Sequence, residues 1–115
     1  MTFDQLRQET GVPVVIADNE GRITEVNKSF EKVFGWSAQE IQGKTLATLI
    51  PTELRASHHM GFSRFLTTGT PTLLNKPLKL KAVSKTGEIF NAEHFIIAEQ
   101  QQGRWIFGAT IRPCP

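Results

Sequence analysis

Residues 14–51, which read VVIADNEGRITEVNKSFEKVFGWSAQEIQGKTLATLIP, decide how this chain folds. Two β-branched runs, VPVVIAD (12–18) and RITEVN (22–27), stand on either side of a short turn that ends at Gly21. Such a pair of runs about a glycine-containing turn predicts an antiparallel hairpin. Gly21 supplies the tolerance for positive φ that the turn requires.

The rest of this stretch carries helix signals. Asn27 is placed to cap a helix that begins at Lys28 and stops at Gly35. Ser37 and Glu40 have the three-residue spacing of a capping box and predict a second short helix.

A longer helix is predicted next, over ELRASHHMGFSRFLTT (53–68), with Thr52 as its cap and Gly69 after its end. Apolar residues and one histidine recur on it at helical spacing and predict a buried stripe: Leu54, His58, Phe62 and Phe65.

Three strand-like stretches follow, at 76–84, 88–100 and 104–112. Together with the hairpin they predict an α/β (α+β) fold, a five-stranded antiparallel sheet with short helices on one face. We expect an N-terminal cap helix within residues 1–10 and a single domain over 11–113.

The composition is that of an ordinary globular domain. The 115 residues are 39% hydrophobic and 21% charged, with a net charge of +2. This length suits one domain, and so slight a charge favours neither nucleic acid nor a membrane surface as a partner. The one cysteine, Cys114, rules out an internal disulfide and a multi-cysteine metal site.

Neither a membrane segment nor a catalytic set is visible. No apolar run approaches the roughly 20 residues that span a bilayer, and the N-terminus lacks a signal-peptide core. We therefore expect a soluble, cytoplasmic segment. The chain contains no Gly-rich phosphate loop, no HExxH motif and no acid placed to orient a histidine, so we expect no enzymatic activity.

Several of these patterns resemble those of the PAS family. They are the stretch 14–51, the hairpin SKTGEIFNAEHF (84–95) and the closing strand WIFGATIR (105–112), and the order of elements agrees with them. The resemblance implies a sheet that cradles a pocket beneath the long helix. It also implies the input module of a signalling protein, with an effector domain following it in the parent protein.

Flavin held as a photo-adduct is not expected. The light-sensing LOV branch of the family uses a cysteine on a helix near the pocket, and the corresponding stretch GKTLATLIP (43–51) has none. Cys114 lies past the last predicted strand. The chromophore cysteine of photoactive yellow protein is absent for the same reason.

The segment LRASHHMGFSRFLTTG (54–69) is similar to the long helix of FixL-type haem-binding PAS domains. That resemblance implies haem b as cofactor, with His58, three residues after Arg55, as the proximal iron ligand. Helix geometry rotates His59 about 100° away, towards solvent. The residues expected to line the pocket beside the histidines are Leu54, Phe62, Leu73, Leu78 and Ile96.

The distal side departs from the family pattern. The distal arginine of FixL-type domains falls on Leu78, and the methionine ligand of direct oxygen sensors falls on Lys76. Strand alternation puts His94 on the face that the family turn assigns to the pocket, opposite His58. His94 is therefore a candidate sixth iron ligand or a hydrogen-bond donor to a bound gas, unless a bulge turns it outward.

Other interpretations stay open. A histidine on an apolar helix face is often a core residue bonded to a backbone carbonyl. His58, His59 and His94 could instead form a surface metal site, although adjacent residues on a helix point apart and do not converge easily on one ion. The main alternative is a PAS module without cofactor, for dimerisation and signal relay or for binding a small metabolite. Because the last two strands are apolar on both faces, we expect a homodimer through the sheet face and the N-terminal helix.

Overall fold

The computed structural model describes residues 2–55 and 77–114. Within these ranges the chain forms three α-helices, two 3₁₀ turns and five strands. The helices are α1 (Phe3–Gln8), α2 (Lys28–Phe34) and α3 (Ala38–Ile41), and the 3₁₀ turns are Leu46–Leu49 and Thr52–Leu54. The strands are β1 (Val14–Ala17), β2 (Ile23–Val26), β3 (Pro77–Val83), β4 (Ile89–Gln101) and β5 (Arg104–Pro113). None of the described helices combines the length and apolar character needed to cross a bilayer.

The five strands form one antiparallel sheet in the order β2-β1-β5-β4-β3. The predicted fold class is confirmed. Strand β4 is hydrogen-bonded to β3 on one side and β5 on the other, and its register is continuous against both. A register shift occurs instead between Ile16 and Ala17, where β1 pairs with β2.

One face of the sheet, called the inner face below, packs against α2 and α3. Phe30 and Phe34 of α2 stack with ring centroids 4.5 Å apart, and Phe34 meets Phe90 of β4 edge to face at 5.4 Å. The small side chains of Ala92 and Ala109 belong to the same core cluster. Because side chains alternate along a strand, this packing assigns every even-numbered residue of β4 to the inner face.

The opposite face, called the outer face, is covered by α1 of the same chain. Phe3 and Leu6 of α1 are buried in a second core cluster with Val14, Ile16 and Ile97. The helix sits this close to β5 because residue 108 is glycine. A Cβ atom built on Gly108 would overlap Leu6 Cδ2 and lie 2.9 Å from Phe3 Cε1.

Asn27 connects the α1 side of the molecule to the inner core. Its Oδ1 accepts hydrogen bonds from the backbone N–H of Phe30 and of Val14, both at 2.9 Å. Its Nδ2 donates to the carbonyl oxygens of Val12 at 2.8 Å and Glu9 at 3.1 Å. The predicted N-cap is therefore confirmed, and the same side chain also holds the segment that leaves α1.

The predicted start of the long helix differs in the structure. Thr52 does not act as the cap: it is the first residue of a 3₁₀ turn whose N-cap position is Pro51, without a side-chain hydrogen bond. The burial predicted for Leu54 is wrong, because its side chain is 38% exposed. Leu54 belongs to this 3₁₀ turn, so the α-helical spacing that predicted its burial does not apply to it. The remainder of the predicted helix lies outside the described residues.

Replacing Gly108 with alanine should displace α1. The added methyl overlaps Leu6 and Phe3, and overpacking of this kind costs about 1–3 kcal/mol. We expect a lower free energy of unfolding in urea and faster amide exchange across residues 3–8. Gly11→Ala is the control, because a Cβ there meets only Glu9 Oε2 within 4 Å, at 3.4 Å. Equal stability of the two variants would contradict the close seating of α1.

Replacing Asn27 with alanine should destabilise the domain more than loss of an ordinary cap. The change removes one helix cap and leaves further half-buried backbone groups unpaired, which together cost at least about 2 kcal/mol. Ser37→Ala is the matched control, because Ser37 caps α3 at an exposed position and its loss costs about 1 kcal/mol. Urea unfolding measures both, and a cost no greater than that of Ser37→Ala would refute the linking role.

Candidate functional site

Three residues predicted to line a ligand pocket lie together on the inner face. His94 and Ile96 are inner-face residues of β4, and Leu78 of β3 pairs directly with His94. Ile111 of β5 pairs with His94 from the other side. The His94 side chain is buried, with 6% of its surface exposed. No register shift interrupts β4, so the condition for an inward His94 is met.

The orientation of the His94 ring is set by a main-chain group. Nδ1 lies 3.2 Å from the carbonyl oxygen of Ala92, two residues earlier on β4. A carbonyl oxygen only accepts hydrogen bonds, so Nδ1 carries the proton and donates. In the neutral ring the lone pair is then on Nε2. We assign this tautomer from the hydrogen bond.

The other predicted site residues are distributed differently. Leu54 is on the 3₁₀ turn and exposed. Arg55, which precedes His58 in the haem-type pattern, donates from Nε to the carbonyl oxygen of Ile50 at 3.1 Å. His58, Phe62 and Leu73 lie outside the described residues, as do His59 and Lys76.

A charged cluster around Trp36 was not predicted. The ammonium groups of Lys44 and Lys85 each lie 5.4 Å from the centre of the indole ring. Lys85 also forms an ion pair with Glu40, with 2.6 Å between Nζ and Oε2. Its backbone N–H donates to the carbonyl oxygen of Phe34 at 2.8 Å. The cluster therefore holds the β3–β4 turn against the end of α2 and the start of α3.

The carboxylate of Glu40 is stabilised in its charged form. The hydrogen bond from Lys85, followed by the one from the backbone N–H of Ser37, lowers the pKa of Glu40 from 4.5 to about 2. Glu40 is exposed, so this is a local clamp on the turn and not a buried reactive group. No sequence spacing indicates the pairing, because 45 residues separate Glu40 from Lys85.

A shallow groove of about 250 Å³ lies at the other edge of the sheet, between β2 and α3. Its walls include Ile23, Val26 and Ile41, and its one charged residue is Glu25. Glu25 is already paired with Arg7 of α1, with 3.1 Å between the closest atoms. The groove therefore offers no reactive group, and His94 remains the chemically distinctive buried residue of the described chain.

The sequence pattern of the PAS fold matches residues 2–74, which is more than half of the chain. The chain belongs to the PAS family. In this PAS domain the inner-face residues around His94 lie on strands β3, β4 and β5, and β3 begins after the matched range ends.

Two longer proteins have similar sequences. A protein of Azorhizobium caulinodans is 31% identical over 100 residues, which cover 86% of this chain and 14% of that protein. The sensor protein FixL of Bradyrhizobium diazoefficiens is 29% identical over 90 residues, which cover 78% of this chain and 18% of FixL. The chain therefore spans less than a fifth of the length of either relative.

Solved PAS structures resemble this one in fold. The PAS domain of a Desulfitobacterium hafniense protein has a TM-score of 0.75 at 17% identity, covering 96% of this chain and 99% of that one. A PAS domain from a two-component sensor histidine kinase has a TM-score of 0.74 at 16% identity, covering 96% and 91%. The Rhodobacter sphaeroides LOV protein has a TM-score of 0.72 at 16% identity, covering 96% and 65%. At these identities the likeness shows the fold alone.

The Glu40–Lys85 pair should make the stability of the PAS domain depend on pH. Because the pKa of Glu40 is lower in the folded state than its ordinary value of 4.5, its stabilisation is complete above pH 4.5 and is lost as the pH falls towards 2. Glu40→Gln should therefore be less stable than the unsubstituted domain at pH 7, and the difference should shrink through that window. Urea unfolding at several pH values measures it.

A double-mutant cycle provides the control for this test. In a Lys85→Gln background the pH-dependent cost of Glu40→Gln should become smaller, because the largest cause of the low pKa has been removed. A cost of Glu40→Gln that is the same at pH 7 and pH 3 would refute the clamp.

Proposed function

We propose that this PAS domain is the sensory input module of a signalling protein and binds haem b, with His58 as the proximal iron ligand and the inner-face residues around His94 as part of the pocket wall. The observation that carries the proposal is the burial of His94 on the inner face among Leu78, Ile96 and Ile111. A neutral imidazole is a common axial ligand of a haem iron held by a protein.

The residues described on the inner face fit such a cofactor. The branched side chains of Leu78, Ile96 and Ile111 present apolar surface next to the ring, which suits the flat apolar body of a porphyrin. The Nδ1–H of His94 is bonded to a backbone carbonyl, the arrangement that orients histidines at metal centres. When bound, haem supplies an iron centre that can take a diatomic gas or change redox state.

The sequence supports the assignment of His58. The pattern Arg55-x-x-His58 within residues 54–69 resembles the iron-binding helix of haem-type PAS domains. Similarity to the sensor protein FixL supports a sensory role for the module. The position of the distal arginine is taken by Leu78, so recognition of a bound gas would not use that group.

A cofactor-free module that relays a signal through a homodimer is the second candidate. The outer face favours it: α1 covers Val14, Ile16 and Ile97, whereas Ile89 of β4 is 49% exposed and Phe95 is only partly buried. In this candidate a second copy would contact α1 and the uncovered part of that face, and the inner face would hold a metabolite or side chains alone. An effector domain of the parent protein would receive the signal in either case.

Absorption spectra of the domain mixed with haemin separate these candidates. The unsubstituted domain should acquire a Soret band, and His58→Ala should lose it because the iron loses its proximal ligand. His59→Ala is the matched control and should keep the band, since adjacent residues of the helix predicted from the sequence would point about 100° apart. After gel filtration has removed unbound haemin, a domain without a Soret band, or His58→Ala with the full band, would refute the proposal.

A further inference from the structure

The outer face of the sheet divides into a covered part and an exposed part. Helix α1 packs on this face at Ile97 and lies against Gly108. The part formed by β3, the first half of β4 and the end of β5 is open to solvent instead. Its exposed polar residues are Lys79, Lys81, Asn91 and Arg112.

Charged residues form a row across three strands in this exposed part. Leu78 pairs with His94 on the inner face, so the alternate residues Lys79 and Lys81 of β3 are on the outer face. Lys79 pairs with Glu93 of β4, and Glu93 pairs with Arg112 of β5. We call Lys79, Lys81, Glu93 and Arg112 the basic strip.

The one carboxylate of the basic strip is already bound. Arg112 Nη2 donates to Glu93 Oε1 at 2.8 Å. Among residues 2–55 and 77–114, neither Lys79 nor Lys81 takes part in an ion pair. The Arg112 side chain is 61% exposed, and a guanidinium has further N–H donors for a second carboxylate. The strip therefore presents uncompensated positive charge.

An exposed apolar side chain lies on the same face. Ile89 of β4 is 49% exposed and pairs with the half-buried Val83 of β3. At about 3.4 Å per residue, Ile89 is about 14 Å along β4 from Glu93. Lys81 is opposite Asn91, midway between them. One short peptide segment can thus contact both the lysines and the isoleucine.

A second copy of the chain does not complement the basic strip. A twofold axis along the row places each residue opposite its own copy. An axis across the row at Glu93 places Lys79 opposite Arg112 and Glu93 opposite itself. Both arrangements bring like charges together, which opposes association. A homodimer would therefore have to be centred on α1 and not on the strip.

We infer that the basic strip and Ile89 bind an acidic segment of a signalling partner. Carboxylates of that segment face Lys79 and Lys81, and an apolar side chain of the segment packs on Ile89. The inference rests on the proposed signalling role of the domain and does not depend on haem. Lysines on an edge strand also discourage pairing with another strand, but that role alone predicts no binding on this face.

A titration of the cofactor-free domain tests the charge contacts. The probe is a short fluorescein-labelled peptide that contains several glutamates and a few leucines, and fluorescence anisotropy measures its affinity. Lys79→Glu combined with Lys81→Glu should weaken binding about tenfold or more, because like charges then face each other. Added salt should weaken binding to the unsubstituted domain.

Lys28→Glu combined with Lys32→Glu is the matched control. It makes the same change of charge at two exposed positions of α2, which packs on the inner face, and binding should be nearly unchanged. Because Glu at position 79 would face Glu93, Lys79→Gln combined with Lys81→Gln is measured as well. This milder variant should show an intermediate loss of affinity, and urea unfolding checks that each variant is folded.

A charge exchange and an apolar substitution complete the test. A peptide with lysine in place of each glutamate should bind the Lys79→Glu, Lys81→Glu variant more tightly than the unsubstituted domain. Ile89→Ser should weaken binding of the acidic peptide at low and at high salt, because the apolar contact is not screened.

Three results would overturn the inference. The first is an equal loss of affinity in the strip variant and the α2 variant. The second is a set of peptide-induced ¹⁵N–¹H shifts that lies away from β3 and the first half of β4. The third is a concentration-dependent shift of Lys79 and Lys81 without peptide, which would assign the strip to a second copy. None of these results bears on the Soret band, so haem binding is tested separately.

Discussion

The four hydrogen bonds of the Asn27 side chain join the two faces of the sheet. The amide caps α2, whose phenylalanines fill the inner core, and it also binds the segment that leaves α1 on the outer face. Each of these segments is short, and α2 has only seven residues. Short helices gain little stability on their own, so their positions depend on such links and on packing against the sheet.

Strand β4 contributes to both cores through simple alternation. Its even-numbered residues lie on the inner face and its odd-numbered ones on the outer face, so a shift of register by one residue would exchange the two sets. The continuous pairing with β3 and β5 prevents this exchange. The burial of His94 is thus a consequence of the register of the whole strand. It does not follow from the residue type, since histidine has no strong preference for the core.

Much of the fold follows from local signals. Three local features were predicted from residue type and spacing, because the residues that form each one lie within a few positions of each other. They are the Asp18–Gly21 turn, the cap at Asn27 and the Ser37–Glu40 capping box. Alternation in β4 likewise predicted the face on which His94 lies. These features could be predicted from the sequence because the interacting residues are close in sequence or recur at the fixed period of a strand.

What could not be predicted depends on tertiary contacts. The pairing of Glu40 with Lys85 joins segments that only the sheet brings together. The exposure of Leu54 reflects a 3₁₀ turn where helical spacing predicted a buried stripe. The need for glycine at position 108 could not be predicted from the neighbouring sequence, because it arises from the side chains of α1 that approach this position.

The atom that sets the tautomer of His94 belongs to the main chain. Alanine at position 92 supplies the carbonyl, but almost any residue that keeps β4 in the ladder would supply the same one. Substitution there would alter packing without removing the acceptor, so the state of the ring is insensitive to the identity of its partner. Comparison of side chains among related sequences would therefore miss this interaction, although it orients the ring of His94 on the inner face.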